Sequence, residues 1–502
     1  MIPVLTPKEM AGVDSQAPEP LDVLVGRAGA AVANMAERLL SGVYGKAIVV
    51  VAGKGNNGAD GRAAAALLAA NGAQVQVLEA AELASGQALP PARLVIDAAY
   101  GTGLQRAYLP PSPGSAPVLA VDIPSGVSGL TGEVLEGGGA LKAVATVTFA
   151  SLKPGLLLGS GPALAGDIEV ADIGLGKLAG VAARCWLVED GDVSALVPAR
   201  AREAHKWLTA VRVVAGSPGM TGAPWLASRA ALRAGAGYVQ LSMPGVDPSV
   251  LPPGELVHHP VGASGWHNDV LEGLSRFKVL VIGPGLGPVI GGTEGAGPGG
   301  AGPGGAGSGG AGSGGSGPSG QLPGGEVGLV VASAPVPVVV DADGLNAIGT
   351  LEGLRAIVER RSEPTVITPH VGELTRLAGH PPGPDHLAAA RDAAARSGAI
   401  VLLKGSTTVV AAPDGRALMS AAGDSRLATA GTGDVLSGVI GAFIARGVPV
   451  FEAAALAAHV HGRAARTGYS QGLVASDLPE LVAGWLSGLF GQGSAGTLTK
   501  GS

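Results

Sequence analysis

Short runs of valine, isoleucine and leucine recur along the chain and alternate with alanine- and leucine-rich stretches of helical length. The strand-like runs are 47–52 (AIVVVA), 75–79 (VQVLE), 94–97 (LVID), 118–122 (VLAVD), 146–149 (TVTF), 211–215 (VRVVA), 238–242 (YVQLS), 279–282 (VLVI), 336–340 (VPVVV), 365–368 (TVIT) and 400–403 (IVLL). Helices are expected over 27–41, 61–71, 223–235, 385–397, 434–446 and 452–467. Most of these runs lack polar alternation, so their strands must be covered on both faces. Covering both faces with intervening helices produces parallel sheets, an α/β class.

The series breaks near 186–205, a more charged stretch carrying Pro198, which places a domain boundary at about 200. A domain over 1–198, a second over 199–490 and a loose tail over 491–502 are expected. Residues 291–325 are rich in Gly, Ala, Pro and Ser and carry almost no charge, so they cannot build a core and are expected to form a flexible surface insertion. The chain has 502 residues and can bury sizeable cores without disulfides or structural metal. Its one cysteine, Cys185, excludes a disulfide framework within the chain and fits a reducing, cytoplasmic setting. A formal charge of −6 argues against a nucleic-acid partner. The first residues show no signal-peptide pattern, and no apolar run is long enough for a membrane span.

In the first half, an apolar strand runs into Gly53-Lys54-Gly55-Asn56-Asn57-Gly58 and then a helix, a literal G-x-G-x-x-G in strand–turn–helix context. Glu79, at the end of the next strand, stands where a ribose-binding acid would sit in a dinucleotide fold, so an NAD-dependent dehydrogenase is one reading. Against it, this half has no histidine before His205. Asp97 and Asp122 also end apolar strands, and Gly101-Thr102-Gly103-Leu104 and Pro124-Ser125-Gly126 follow them. Ligands of open α/β sheets bind at that carboxyl edge. Hard oxygens from Asn, Asp and Ser suit a simple cation, and a strand-end Asp can act as a general base. Taken singly, each such Asp can equally be a helix cap or turn residue.

The GKGNNGADG, DAAYGTGL, VDIPSG and SLKPG segments, in this order, resemble the NAD(P)H-hydrate epimerases over roughly 1–198. The resemblance implies a Rossmann-like three-layer α/β/α sandwich. It assigns Asn56, Asn57, Gly58, Ala59 and Asp60, with Gly101, Thr102, Gly103, Leu104, Gln105, Arg106 and Ala107, to the hydrated dinucleotide. Asn57, Asp97 and Ser125 align with potassium ligands, Asp122 with the residue at the reacting ring, and Lys153 with a lysine after the last strand. Two departures stand out: Gly58-Ala59 where the family has Gly-Gly, and Leu24-Val25-Gly26-Arg27-Ala28-Gly29 in the N-terminal helix.

In the second half, Gly431-Thr432-Gly433-Asp434 stands at an expected helix start, where backbone N–H groups can hold an anion and Asp434 can take a proton from a hydroxyl. An ordinary capping Asp is the alternative. DADGLN (341–346), TPHVGEL (368–374) and LKGSTT (403–408) also follow β-rich runs, and none of these turns is a Walker A loop. Together with GSPGMTGAPWLASRAALRAGAGYV and GPGLG, these segments resemble the ribokinase-like ADP-dependent NAD(P)H-hydrate dehydratases over about 200–490. The resemblance implies a ribokinase-like α/β/α domain. Ala223, Gly287 and His370 would line the substrate site. Lys404, Gly405, Ser406, Thr407, Thr408 and Gly433 would hold the phosphoryl donor, with Asp434 the catalytic carboxylate. Trp207-Leu208 after His205-Lys206 departs from the family's glycine.

The paired resemblances imply two domains that act on the same hydrated NADH or NADPH, one as an epimerase and one as a dehydratase of the S epimer. They further imply potassium at the first site, magnesium and ADP at the second, and a homo-oligomer. A small-metabolite kinase with a non-catalytic N-terminal binding module remains the other reading.

Overall fold

The structure is a computed structural model that describes residues 1–252, 254–287 and 322–491. Most of the glycine-rich insertion expected at 291–325 and nearly all of the tail at 491–502 lie outside the described residues. The end of the insertion is described, and a helix, Gly325–Ser333, begins there.

Two sheets organise the chain. The first has six strands in the spatial order Gln74–Glu79, Ala47–Ala52, Leu94–Ala98, Val118–Val121, Ala145–Phe149 and Asp167–Ala171, and every pairing is parallel. Numbered within this unit, the order is 2-1-3-4-5-6 and not the 3-2-1-4-5-6 of dinucleotide-binding folds. The direction of winding reverses between Ala47–Ala52 and Leu94–Ala98, so a crevice opens beyond their carboxyl ends.

The second sheet has eleven strands. A parallel centre runs Ile400–Leu403, Thr365–Ile367, Val338–Val340, Val279–Ile282, Ala210–Val214 and Tyr238–Ser242, with Val257–His258 at the far edge. Thr408–Ala411 and Ala417–Ser420 continue it as an antiparallel meander. Its switch point lies between Ala210–Val214 and Val279–Ile282.

The strands expected at 47–52, 238–242, 279–282 and 400–403 are observed at those bounds. The helix expected from 27 starts earlier, at Leu21, because Pro20 fixes an extended N-cap and Gly26 is tolerated within the helix.

The sheets divide the chain before the boundary expected at 198. Cys185–Leu187 already belongs to the second sheet, paired with Ala417–Ser420. Ile2–Pro3 forms that sheet's outer edge against Cys185–Leu187. The next residues turn to the first unit, where Leu5 N–H donates to the Leu152 carbonyl at 2.9 Å. The units also share a core. One apolar cluster joins Ile123, Val127, Leu152, Leu156, Leu157 and Leu158 to Leu403, Val409, Ala411 and Met419.

Candidate functional sites

The first site forms at the crevice of the six-stranded sheet. Gly53 must be glycine there, since a Cβ would come within 1.9 Å of the Ala99 carbonyl oxygen. A Cβ on Gly58 would lie 1.8 Å from the Gly53 oxygen. These contacts fold the turn back under the helix Asn56–Ala70 and present Asn56 and Asn57 at its start. Ala59 lies inside this helix and is not among the residues with positive φ, so its methyl is unstrained.

A cavity of about 700 Å³ opens above this turn. Asn56, Asn57, Asp60, Gly101, Thr102, Gly103, Leu104, Arg106 and Asp122 line it, joined by Asp14 and Lys153. Gly58, Ala59, Gln105 and Ala107 do not line it; Gly58 and Ala59 belong to the helix turn beneath. Asp122 takes φ 65°, a left-handed backbone that is uncommon for a non-glycine residue and that clusters at functional sites. Its carboxylate meets Lys153 Nζ at 2.7 Å and accepts from Thr148 Oγ1 at 3.1 Å. Lys153 is 2 % exposed and donates to Thr148 Oγ1 and the Phe149 carbonyl. It is thus a buried partner of Asp122.

Burial, reinforced by the charges of Asp122 and Asp14, pushes the Asp60 carboxyl up to about 8. Burial likewise raises Asp14, against the Lys153 ammonium. Asp97 is buried and raised by desolvation, although Ser125 N–H, Ser125 Oγ and Ala99 N–H all donate to it. Both polar atoms of the Asn57 side-chain amide are buried without a partner. An orphaned amide of this kind fits a ligand or cation that completes its bonding. Glu79 does not line the cavity, and both its oxygens pair with Arg62 at 2.6 Å. The ribose-acid reading therefore lacks its residue.

The second site sits at the carboxyl edge of the eleven-stranded sheet. The helix Thr432–Ala445 begins after Gly431, whose φ of 90° turns the chain into it. Its first-turn N–H groups have no partner within the helix and create a positive end. Asp434 lies in that turn, and burial, followed by repulsion from Asp341, pushes its carboxyl up to about 7 despite the Lys404 ammonium. Lys404 Nζ meets Asp341 Oδ1 at 2.9 Å and Glu373 Oε2 at 3.7 Å. It also lies 3.3 Å from where a Cβ on Gly433 would stand. Burial would raise Asp341, but Lys404 and the hydroxyl of Ser437, 2.6 Å away, hold it below the ordinary value.

Gly287, at φ 74°, donates its N–H to Asp343 Oδ2 at 3.0 Å. Ala223 lies in the first turn of the helix Gly222–Arg233, and a Cβ on Gly285 would sit 3.1 Å from its Cβ. His370 caps the helix Val371–Ala378; its Nδ1 accepts from the N–H groups of Gly372 and Glu373, which leaves the proton on Nε2. Gly405 and Ser406 are exposed and Thr408 is half-buried, whereas Thr407 is buried with its hydroxyl on the Leu157 carbonyl of the first unit.

Sequence reasoning did not assign Asp14, Asp341, Glu373 or Ser437. Asp341 carries the same strand-end signal as Asp97 and Asp122. Asp14 has no such signal, because only the docking of the helix Pro7–Asp14 brings it to the cavity.

A family profile described as NAD(P)H-hydrate dehydratase matches residues 211–292 and 327–484. One described as YjeF-related protein N-terminus matches 21–89 and 79–155. The bifunctional NAD(P)H-hydrate repair enzyme of Salinibacter ruber is 33% identical over 98% of this chain and 97% of its own. That of Moorella thermoacetica is 34% identical over 95% and 96%. A solved ADP/ATP-dependent NAD(P)H-hydrate dehydratase from Bacillus subtilis, co-crystallized with ATP/Mg2+, is 25% identical with a TM-score of 0.47, covering 60% of this chain and 97% of that one. With full-length relatives above 30% identity and both profiles in order, this chain belongs to the family of bifunctional NAD(P)H-hydrate repair enzymes.

Proposed function

We propose that the chain repairs hydrated NADH and NADPH in two steps. The first site interconverts the R and S epimers at the hydroxylated ring carbon, and the second removes water from the S form with a nucleoside phosphate. The observation that carries the second step is the raised Asp434 carboxyl at the head of a buried helix, beside Lys404. Hydroxide is a poor leaving group. Asp434 takes the hydroxyl proton while the oxygen attacks the terminal phosphorus of ADP, supplied as its magnesium salt; AMP departs. The N–H groups from Gly431 to Gly433 stabilise charge on the transferring phosphoryl. Elimination of phosphate with loss of a ring proton then restores the dihydropyridine.

At the first site, Asp122 held by Lys153 faces the substrate ring. Asn57, Asp97 and Ser125 would hold potassium; the orphaned Asn57 amide and the hard oxygen donors fit it. The ion would neutralise the buried Asp97 and fix the turn against the Ser125 loop. A homo-oligomer in a reducing, cytoplasmic compartment completes the reading. Cys185 is buried as a free thiol, and among the described residues no helix is long and apolar enough to cross a membrane.

The test follows absorbance at 340 nm from mixed hydrated NADH epimers with ADP, with ATP and with neither, in potassium and in choline. Full recovery with one nucleotide in potassium is expected, with only the S fraction recovered quickly in choline. Phosphorylated product without NADH would instead favour the small-metabolite kinase.

A further inference from the structure

Thr407 belongs to the turn that would hold the phosphoryl donor, yet its side chain is turned away from solvent and is only 6% exposed. Its Oγ1 donates to the Leu157 carbonyl at 2.5 Å, across 250 residues of sequence. Leu157 ends the short helix Pro154–Leu157, which begins directly after Lys153, the partner of Asp122. That helix is pinned to the first unit. Gly155 N–H donates to the Gly129 carbonyl at 2.9 Å, and a Cβ on Gly132 would lie 1.8 Å from the Leu158 oxygen. On the other side the same turn starts at Lys404, fixed by Asp341 and Glu373. The turn is therefore tied at one end to its own sheet and at the other to the first unit. Leu156, Leu157 and Leu158 pack in one cluster with Leu403 and Val409, the strand residues that flank the turn, which excludes water from the joint.

We propose that Thr407 is a positioning residue: through the Leu157 carbonyl, the first unit sets the shape of the Lys404–Thr408 turn and so completes the nucleotide side of the dehydratase site. The inference rests on the dehydratase reading of that site. An exposed turn with two glycine- or serine-type residues, Gly405 and Ser406, samples many shapes unless both ends are held. A buried hydroxyl-to-carbonyl bond is a short-range, directional restraint, and its removal strands the carbonyl without a donor.

The test compares Thr407→Val, which keeps the side-chain shape and removes the donor, with Thr407→Ser, which keeps the donor. Initial rates of dehydration of the purified S hydrate of NADH are measured in the full chain over a range of ADP concentrations, with melting temperatures alongside. The expected result is a rise of about ten-fold in the KM for ADP in Thr407→Val, the size of one lost buried hydrogen bond. The kcat should change less than two-fold (roughly, as expected when ground-state and transition-state binding are lost together), and Thr407→Ser should restore KM. An unchanged KM in Thr407→Val would overturn the inference, as would equal loss in both variants. A lowered melting temperature with KM intact would mark a merely structural contact and also overturn it. The same titration is run with ATP; if wild-type protein shows no dehydration with either nucleotide, the dehydratase reading fails, and that outcome is distinct from the others.

Discussion

At the scale of single residues, the two candidate sites hold carboxylates in different electrostatic settings. Asp122 is held as half of an ion pair with a buried lysine, whereas Asp434 is raised to about 7 by burial and, after it, by the charge of Asp341. A group that must remove a proton works in its ionised form, so the dehydratase rate should climb with pH and reach half its plateau near pH 7. The variants Asp434→Asn and Asp122→Asn should separate the activities, the first abolishing dehydration and sparing epimer exchange, the second doing the reverse. Equal loss of both activities in either variant would sink the two-site assignment. The shift of Asp434 also has a sign for stability. Its folded value of about 7 exceeds the ordinary 3.8, so the folded state binds the extra proton between those limits. The contribution to stability is full at low pH and is lost as pH rises to about 7. Calorimetry should therefore find Asp434→Asn melting above wild type at pH 8 and level with it near pH 4, conditions about a unit above the folded value and close to the unfolded one.

At the scale of elements, close approach sets which glycines matter. In the helix Leu21–Leu40, Gly29 faces the helix Asn56–Ala70, and a Cβ there would lie 2.5 Å from Ala63 Cβ. Gly26, three residues earlier, has open space around it. Gly29→Ala should cost about 1–3 kcal/mol through overpacking and disturb the Asn56–Asn57 turn. Gly26→Ala should add about 0.5–1 kcal/mol through helix propensity. Urea unfolding of both variants measures the contrast.

These elements also show what the sequence could disclose. Fully apolar runs such as Ala47–Ala52 were legible because burial on both faces leaves a continuous pattern. The short strands Ile2–Pro3 and Cys185–Leu187 lack such a run and exist through their partners. Among site residues, those in glycine turns at strand ends announced themselves. Lys153 follows a strand and precedes a proline, a pattern that does not disclose its burial against Asp122. Glu79 stands at the right distance in sequence for a ribose acid, but Arg62, on the intervening helix, takes both its oxygens.

At the scale of the whole molecule, the shared apolar cluster and the Thr407–Leu157 bond predict that the two units unfold together. Four of the five tryptophans lie from residue 207 onward and Trp186 packs against the cores of both units, so fluorescence reports mainly the second unit, while loss of epimer exchange reports the first. The two thermal midpoints should coincide; two separated transitions would show that the interface does not couple the units.

The edge of the eleven-stranded sheet carries a consequence for how the chain is made. Ile2–Pro3 rests on Cys185–Leu187, which in turn rests on Ala417–Ser420. At synthesis rates of about 5–20 residues per second, Ile2–Pro3 emerges on the order of tens of seconds before the strand that seats its neighbour. Throughout that interval the half-built edge offers unpaired backbone to other nascent chains. Slow translation or scarcity of holding chaperones should therefore reduce the yield of this protein more than that of a chain whose sheets close in the order they are synthesised.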